Sequence, residues 1–331
     1  MEQEPRDVRD NSDLVASLIR AAGRRAEPPE DAYRQVLSAA TDALRRKTAK
    51  RRERTWLLYA GAAGIAAFAI GLMLQWKPPV AQRAPIARIE RVIGSVEQAT
   101  GDVWNPLDAA TVAFTRGAKI RTLAGGMAGL TLEGGTSLRL AADTEIMLDT
   151  PPQLYLQYGT IYLDHAASVG TGYRIETPAG TARDVGTQFE LKVAGRALRL
   201  RVREGRVEID RTGQLFAGVA GEQLELDTQG AVTRSSIAAT DADWQWAEAV
   251  APAPDIEGQP ASVLLAWVAR ETGRRLRYQS TTVESRAANV ILHGNIRHLA
   301  PLAALDVMLA TTDLEYTLVG DTMEVRVRTE L

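Results

Sequence analysis

The sequence predicts a multidomain chain: a short helical cytoplasmic tail, one transmembrane helix, an all-β domain and a C-terminal α+β domain in βαββαββ order. Three observations carry this. Residues Trp56 to Gln75 contain no charged side chain. From Ala87 to about Val232, apolar residues recur at every second position, the period of half-buried strands. Beyond Pro252 and Pro254, helical spacing mixes with short β-like runs. The resulting boundaries are a tail at 1–55, a span at 56–76, a Pro-containing linker at 77–86, a β domain at 87–240 and an α+β domain at 252–329.

In the tail, Asp13 is placed to cap a helix with Leu14, Leu18 and Ile19 on one face. Gly23 and the Pro28-Pro29 pair break it. Pro29 suits the first turn of a second helix, with Glu30 and Asp31 near the positive end of its dipole. Tyr33, Val36, Leu37, Ala40 and Leu44 follow at helical spacing. No Gly or Pro interrupts residues 30–60, so this helix is free to continue into the membrane. Two short helices bury too little surface to fold firmly alone. The stripe of Leu14, Leu18, Ile19, Tyr33, Val36, Leu37 and Leu44 therefore reads as a partner-binding face. Self-association or a loosely ordered tail is the competing reading.

As a helix, the uncharged run is about 30 Å long, the thickness of a hydrocarbon core. Arg45, Arg46, Lys47, Lys50, Arg51, Arg52 and Arg54 crowd its N-terminal flank, while Lys77, Arg83 and Arg88 are scattered beyond it. Dense basic residues mark the cytoplasmic side and suit anionic lipid head groups. Trp56 and Trp76 stand at the two ends, where indole rings favour the interface. The run starts too late for a cleaved signal peptide. Arg51-Arg52 reads as part of the basic collar rather than as a twin-arginine signal. Ala60 and Gly64 lie four apart, as do Ala63, Ala67 and Gly71, a spacing that permits self-association through the span.

In the β domain, Leu138-Arg139-Leu140, Leu154-Tyr155-Leu156 and Leu198 to Arg203 alternate apolar with polar. Gly159, Gly205 and Gly221 each precede a similar alternating segment closed by Asp, as if one short β unit were reused. These patterns predict a rolled antiparallel sheet, a sandwich or a short solenoid. Arg196, Arg199, Arg201, Arg203 and Arg206 could be a ligand patch, but read mainly as the solvated face of one strand. Gly125-Gly126 and Gly134-Gly135 read as hairpin turns, since no Lys-Ser/Thr pair and helix follow them.

Trp244 and Trp246 are assigned to a loop. The last domain then begins with a short strand near Ile256 and a helix over Ala261–Thr272 ended by Gly273. Strands near Leu276–Gln279 and Val290–Leu292 follow, then a helix over Pro301–Ala310. A hairpin closes it, pairing Leu314–Leu318 with Met323–Val327 across Gly320-Asp321.

A net charge of −2 over 331 residues gives no case for nucleic-acid binding. The absence of cysteine excludes disulfides, thiolate metal sites and a cysteine nucleophile. Hydrophobic residues make up 45% and aromatics 5%, which predicts a core of Leu, Val, Ile and Ala. The 3 histidines are His165, His293 and His298, and neither HExxH nor GxSxG occurs. His293 and His298 flank a turn with too few companions for a metal site. The chain thus reads as a non-enzyme without catalytic, metal-binding or cofactor-binding residues. A carboxylate-based glycan hydrolase is the catalytic alternative.

Several ordered blocks resemble the FecR domain. Gly94-Ser-Val-Glu, Trp104-Asn-Pro-Leu and Gly117-Ala-Lys-Ile-Arg-Thr resemble its opening. Leu130 to Leu140, Leu156-Gln-Tyr-Gly-Thr-Ile-Tyr-Leu-Asp and Thr177-Pro-Ala-Gly continue it; Asp184-Val-Gly-Thr-Gln-Phe-Glu-Leu and Val202-Arg-Glu-Gly-Arg-Val-Glu-Ile close it. The resemblance covers residues 90–210. Gly94, Gly117, Gly159, Gly180, Gly186, Thr187, Phe189 and Gly205 read there as residues that maintain the fold. Gly186 permits a tight backbone path, Phe189 points inward, and Gly159 and Gly205 serve turns between strands.

The last domain resembles the short signalling domain at the N-terminus of secretins and TonB-dependent transducers, an STN-like module. Together these resemblances imply a signal transducer of the Gram-negative inner membrane, with its N-terminus cytoplasmic and its C-terminus periplasmic. Its periplasmic part would sense the signalling domain of a TonB-dependent outer-membrane receptor, often one for iron-siderophores. Its tail would regulate an extracytoplasmic-function (ECF) sigma factor, as anti-sigma factor or activator. Release can involve regulated proteolysis in that family, with which Gly61, Gly64 and Gly71 in the span are compatible. The tail departs from the family pattern in its brevity and in having no tryptophan before Trp56. The competing reading is a membrane-anchored envelope module whose ectodomain binds glycan or another envelope protein.

Overall fold

The computed structural model describes residues 10–21, 23, 29–32, 34–45, 84–107, 113–165, 172–184 and 186–328. Predictions that fall on Tyr33, on Trp56 and Trp76, on the rest of the span and on the linker up to residue 83 lie outside these residues, as does the Leu14 side chain. The chain divides into two compact units, Met1–Gln82 and Arg83–Leu331.

In the first unit, α1 (Asp10–Ala21) precedes a second helical stretch at residues 30–32 and 34–45. Helix α1 starts before Asp13, so Asp13 lies inside it rather than at its cap. Asp10, Asn11 and Ser12 are all cap-forming types too, which leaves the start ambiguous in the sequence. Gly23, at φ +63°, follows the end of α1. No helix among the described residues is long and apolar enough to cross a membrane.

Among the described residues, the second unit opens with a continuous 17-stranded sheet that winds between two layers. One layer, here A, holds β1 (Ala87–Ile93), β4 (Ala113–Phe114), β6 (Met127–Leu132), β7 (Ser137–Leu140), β12 (Gln188–Ala194), β13 (Ala197–Glu204), β16 (Glu222–Leu226) and β17 (Val232–Ser236). The other, B, holds β2 (Val96–Thr100), β3 (Val103–Pro106), β5 (Lys119–Thr122), β8 (Thr144–Leu148), β10 (Arg174–Thr177), β11 (Gly180–Asp184), β14 (Arg206–Arg211) and β15 (Gln214–Val219). Strand β9 (Gln153–Asp164) joins them. Its first half pairs with β8 and β10 in layer B, and its second half with β7 and β12 in layer A. Among the described residues, all pairings in the sheet are antiparallel except β9 with β10. Alternation supplies one apolar row per strand, and these rows meet between the layers. Leu130, Leu138, Leu163, Phe189 and Leu200 from A share a buried core with Ile120, Ile146, Leu154, Ile175 and Ile209 from B. Each such side chain contributes about 2 kcal/mol by leaving water. Of the shapes predicted, this curled two-layer sheet keeps features of both the rolled sheet and the sandwich.

The glycines at layer crossings explain much of the sequence pattern. Gly94, Gly117, Gly186, Gly205 and Gly221 sit between a strand of one layer and a strand of the other, all with positive φ. Gly180 turns the β10–β11 hairpin within layer B. Gly159 corrects the expectation of a turn between strands: it lies inside β9, at the bend where that strand changes layer. A Cβ there would stand 2.4 Å from the Thr144 Cα, so the bend packs too closely for a side chain. The Gly125-Gly126 pair likewise links β5 to β6 across layers, whereas Gly134-Gly135 does close a hairpin, β6–β7.

After the sheet, residues 242–244 form a 3-10 turn and α2 (Gln245–Ala249) follows. The loop expected around Trp244 and Trp246 is therefore helical, and Trp244 is fully buried. The last domain comprises β18 (Gln259–Pro260), α3 (Ala261–Glu271), β19 (Arg275–Tyr278), α4 (Thr281–Asn289), β20 (Ile291–Leu292), α5 (Pro301–Leu309), β21 (Leu314–Val319) and β22 (Thr322–Val327). Leu264, Leu265, Val268, Leu305, Leu309, Met323 and Val325 form its own core. Its sheet runs β19-β22-β21, with β19 parallel to β22. The predicted βαββαββ order lacked α4. That helix buries only Val283 and Ala287, too thin a stripe to stand out. Its visible signal was Ser280, whose side chain caps it by accepting from the Val283 N–H at 3.3 Å. The first strand lies at Gln259–Pro260 rather than at Ile256, whose side chain is buried in the core.

Candidate functional site at the junction of the two domains

The outer face of layer A meets the C-terminal domain through charge. Arg139 on β7 is fully buried: Nη2 donates to Glu271 Oε1 at 2.9 Å, Nη1 lies 2.7 Å from Oε2 and also donates to the Ala247 carbonyl at 3.1 Å. Burial works against its charge, but the adjoining Glu271 carboxylate leaves the guanidinium pKa above its ordinary value. Arg203 on β13 donates to the Ala239 carbonyl at 2.6 Å, the Glu271 carbonyl at 2.7 Å and Glu248 Oε1 at 3.0 Å. The Glu271 carbonyl belongs to the last turn of α3, where no helical N–H remains to satisfy it, and a cation is favoured there.

The reciprocal contact comes from Arg270 on α3. Its Nε donates to Asp164 Oδ2 at 3.2 Å, Nη2 bonds Asp164 Oδ1, and Nη1 reaches Glu204 at 3.4 Å. Gln188 Nε2 holds the same Asp164 at 3.0 Å. Farther along, Arg91 on β1 donates to the carbonyls of Leu299 and His298 at 2.9 and 3.0 Å.

A small aromatic cluster fills the gap beneath these charges. Tyr162 and Trp244 meet edge to face at 5.9 Å, with Arg139 over the tyrosine ring at 4.9 Å and Arg203 over the indole at 5.2 Å. The Trp244 Nε1–H donates to the Ala238 carbonyl at 2.9 Å. The Tyr162 hydroxyl is buried and finds no hydrogen-bond partner among the described residues. Burial pushes its pKa up to about 12, against the pull of Arg203 and Arg139.

This arrangement corrects the reading of the arginine run. Arg196 and Arg206 are exposed, but Arg201 and Arg203 are buried. Arg201 pairs with Asp243 at 2.6 Å, and Arg199 with Glu190 at 2.9 Å. Alternation had placed these side chains on the outer face of their strand, which was right. It could not show that the chain returns at residues 238–249 to cover that face. The two tryptophans in an assumed loop were the available signal, because an indole seldom stays in water.

Of the residues singled out in the sequence, the structure brings one set together. The Asp184 carboxylate accepts from the Gly186 N–H and the Thr187 hydroxyl, each at 3.2 Å, and from the Tyr173 N–H; His165 Nδ1 lies 2.9 Å away. Gly205 packs against this turn: a Cβ there would stand 2.6 Å from the Gly186 carbonyl oxygen and from Thr187 Cγ2. Phe189 is fully buried next to it in the chain. In the tail, Leu18, Ile19, Val36, Leu37 and Leu44 are exposed, together with Val15. His293 is exposed beside Glu257 at 2.8 Å, and no group of His, Asp and Glu suited to a metal occurs among the described residues.

Residues 118–208 match the family described as FecR protein, so this part of the sheet is a FecR domain. No curated protein matches the sequence. Two crystal structures of a candidate anti-sigma factor from Parabacteroides distasonis resemble the chain. They are 17% and 16% identical, cover 64% of this chain and 99% of theirs, and have a TM-score of 0.36. That likeness is too low to carry a conclusion about fold or function.

Proposed function

We propose that this chain is a single-pass transducer of the Gram-negative inner membrane that relays a periplasmic binding event to a cytoplasmic ECF sigma factor, without a catalytic step or cofactor. The observation that supports it most is the FecR domain at residues 118–208 in one compact unit, with exposed apolar helices in another. The uncharged run between them, with its basic collar, supports a membrane crossing. In this reading the C-terminal domain is an STN-like module, and the periplasmic partner is the signalling domain of a TonB-dependent receptor, iron-siderophore receptors being the first to test. The tail acts as anti-sigma factor or activator, and ligand binding outside works through unequal affinity for two states of the protein.

The test is transcription of the sigma-dependent genes in cells whose chain lacks residues 1–55. The proposal expects a several-fold change in either direction. Unchanged transcription would sink the sigma-factor role and favour the envelope-module reading.

A further inference from the structure

We propose that the arginine junction is a reversible latch, closed in this structure, that lets the FecR-containing sheet and the C-terminal domain part as intact bodies. The first ground is the division of the cores. Among the described residues the sheet and the C-terminal domain have separate buried clusters, and the third cluster, Tyr162, Trp244 and Ala247 with Ile237 and Trp246 beside them, contains no residue of the C-terminal domain. Separation would therefore leave both main cores in place. The second ground is what holds the junction. Arg139–Glu271 and Arg270–Asp164 are ion pairs, the first fully enclosed, and Arg203 adds a charged hydrogen bond to the Glu271 carbonyl. Withdrawing such charges from water costs much of what their attraction returns, so a buried pair adds little net stability over a packed apolar contact. Polar contacts of this kind are typical of domains that move.

The third ground is the Tyr162 hydroxyl, which is enclosed without a partner and would regain water on opening. Finally, residues 250–255, with Pro252 and Pro254, connect the two bodies without helix or strand. Opening would free Arg139 from Glu271 and Arg203 from the Glu271 carbonyl, while Trp244 and Glu248, which precede residue 250, stay with the sheet. A partner that stabilises the open form there would present a carboxylate to Arg139 in place of Glu271.

This inference does not depend on the transducer reading, because it is tested as a distance. The chain has no cysteine of its own, so spin labels can be placed at Gln157→Cys on β9 and Ala288→Cys on α4, both exposed. The full chain in detergent should give one narrow distance distribution. Glu271→Gln should add a second, longer population, with circular dichroism unchanged. The paired change Arg139→Met with Glu271→Met should keep the single short distance, because an apolar pair is not drawn back into water. Should Glu271→Gln fail to fold, Arg270→Gln at the rim of the clasp serves in its place. A folded Glu271→Gln or Arg270→Gln chain with the original distribution would overturn the latch. So would a Met pair that opens as readily as the single variants.

Discussion

At the scale of single residues, Gly186, Thr187 and Gly205 are brought together in close approaches. Asp184 gathers the Gly186 N–H and the Thr187 hydroxyl, and Gly205 leaves room for that turn to pack. Gly205→Ala should therefore cost about 2 kcal/mol or more, from positive φ and overlap together. Chemical denaturation would read this loss, and an unchanged midpoint would remove the packing account. Tyr162 makes a second residue-level prediction. With its pKa pushed up to about 12 from an ordinary 10.0, it keeps its proton in the folded state after an unfolded tyrosine has lost it. The folded state then binds more protons between those values, so stability is fully present below pH 10 and falls as pH rises toward about 12. Tyr316, bonded to Asp306 at 2.6 Å and also near 12, acts in the same window. Phenolate absorbance should show late-ionising tyrosines, and Tyr162→Phe should remove one and make the alkaline loss shallower. Ionisation of every tyrosine near its ordinary pKa would contradict the burial argument.

At the scale of elements, much of the fold was legible wherever one period dominated. The Leu314–Val319 hairpin arm and the apolar face of α3 read correctly, because each buries one side against a core; Leu198 to Arg203 read correctly as a strand, but Arg201 and Arg203 bury its outer side too. Elements that satisfy themselves by contacts distant in sequence did not. Helix α4 carries just Val283 and Ala287 inward, so its stability comes from its Ser280 cap and from packing that periodicity cannot show. The junction was least legible. Arg139 reads as an ordinary outward residue of β7 until Glu271, 132 positions later, arrives beside it. Alternation predicts which face a residue occupies, not whether another part of the chain will cover that face. The same limit applies to Gly159, since a glycine ahead of a strand and one bending a longer strand look alike in sequence.

At the scale of the whole molecule, two compact units carry different surfaces. The described residues of one form two short helical stretches with exposed apolar side chains; the other holds a sheet and an α+β domain clasped by arginines. A stripe such as Leu18, Ile19, Val36 and Leu37 costs free energy while exposed and is stabilised by whatever covers it. In the proposed function, a sigma factor takes that role. The most direct measurement is binding of a purified ECF sigma factor, taken from the genes adjoining this one, to the full-length chain in detergent, followed by size-exclusion chromatography and titration. The wild-type chain should co-elute, and Val36→Glu with Leu37→Glu should bind at least about tenfold more weakly, roughly 1.4 kcal/mol. No co-elution, or equal affinity for the two chains, would contradict that role.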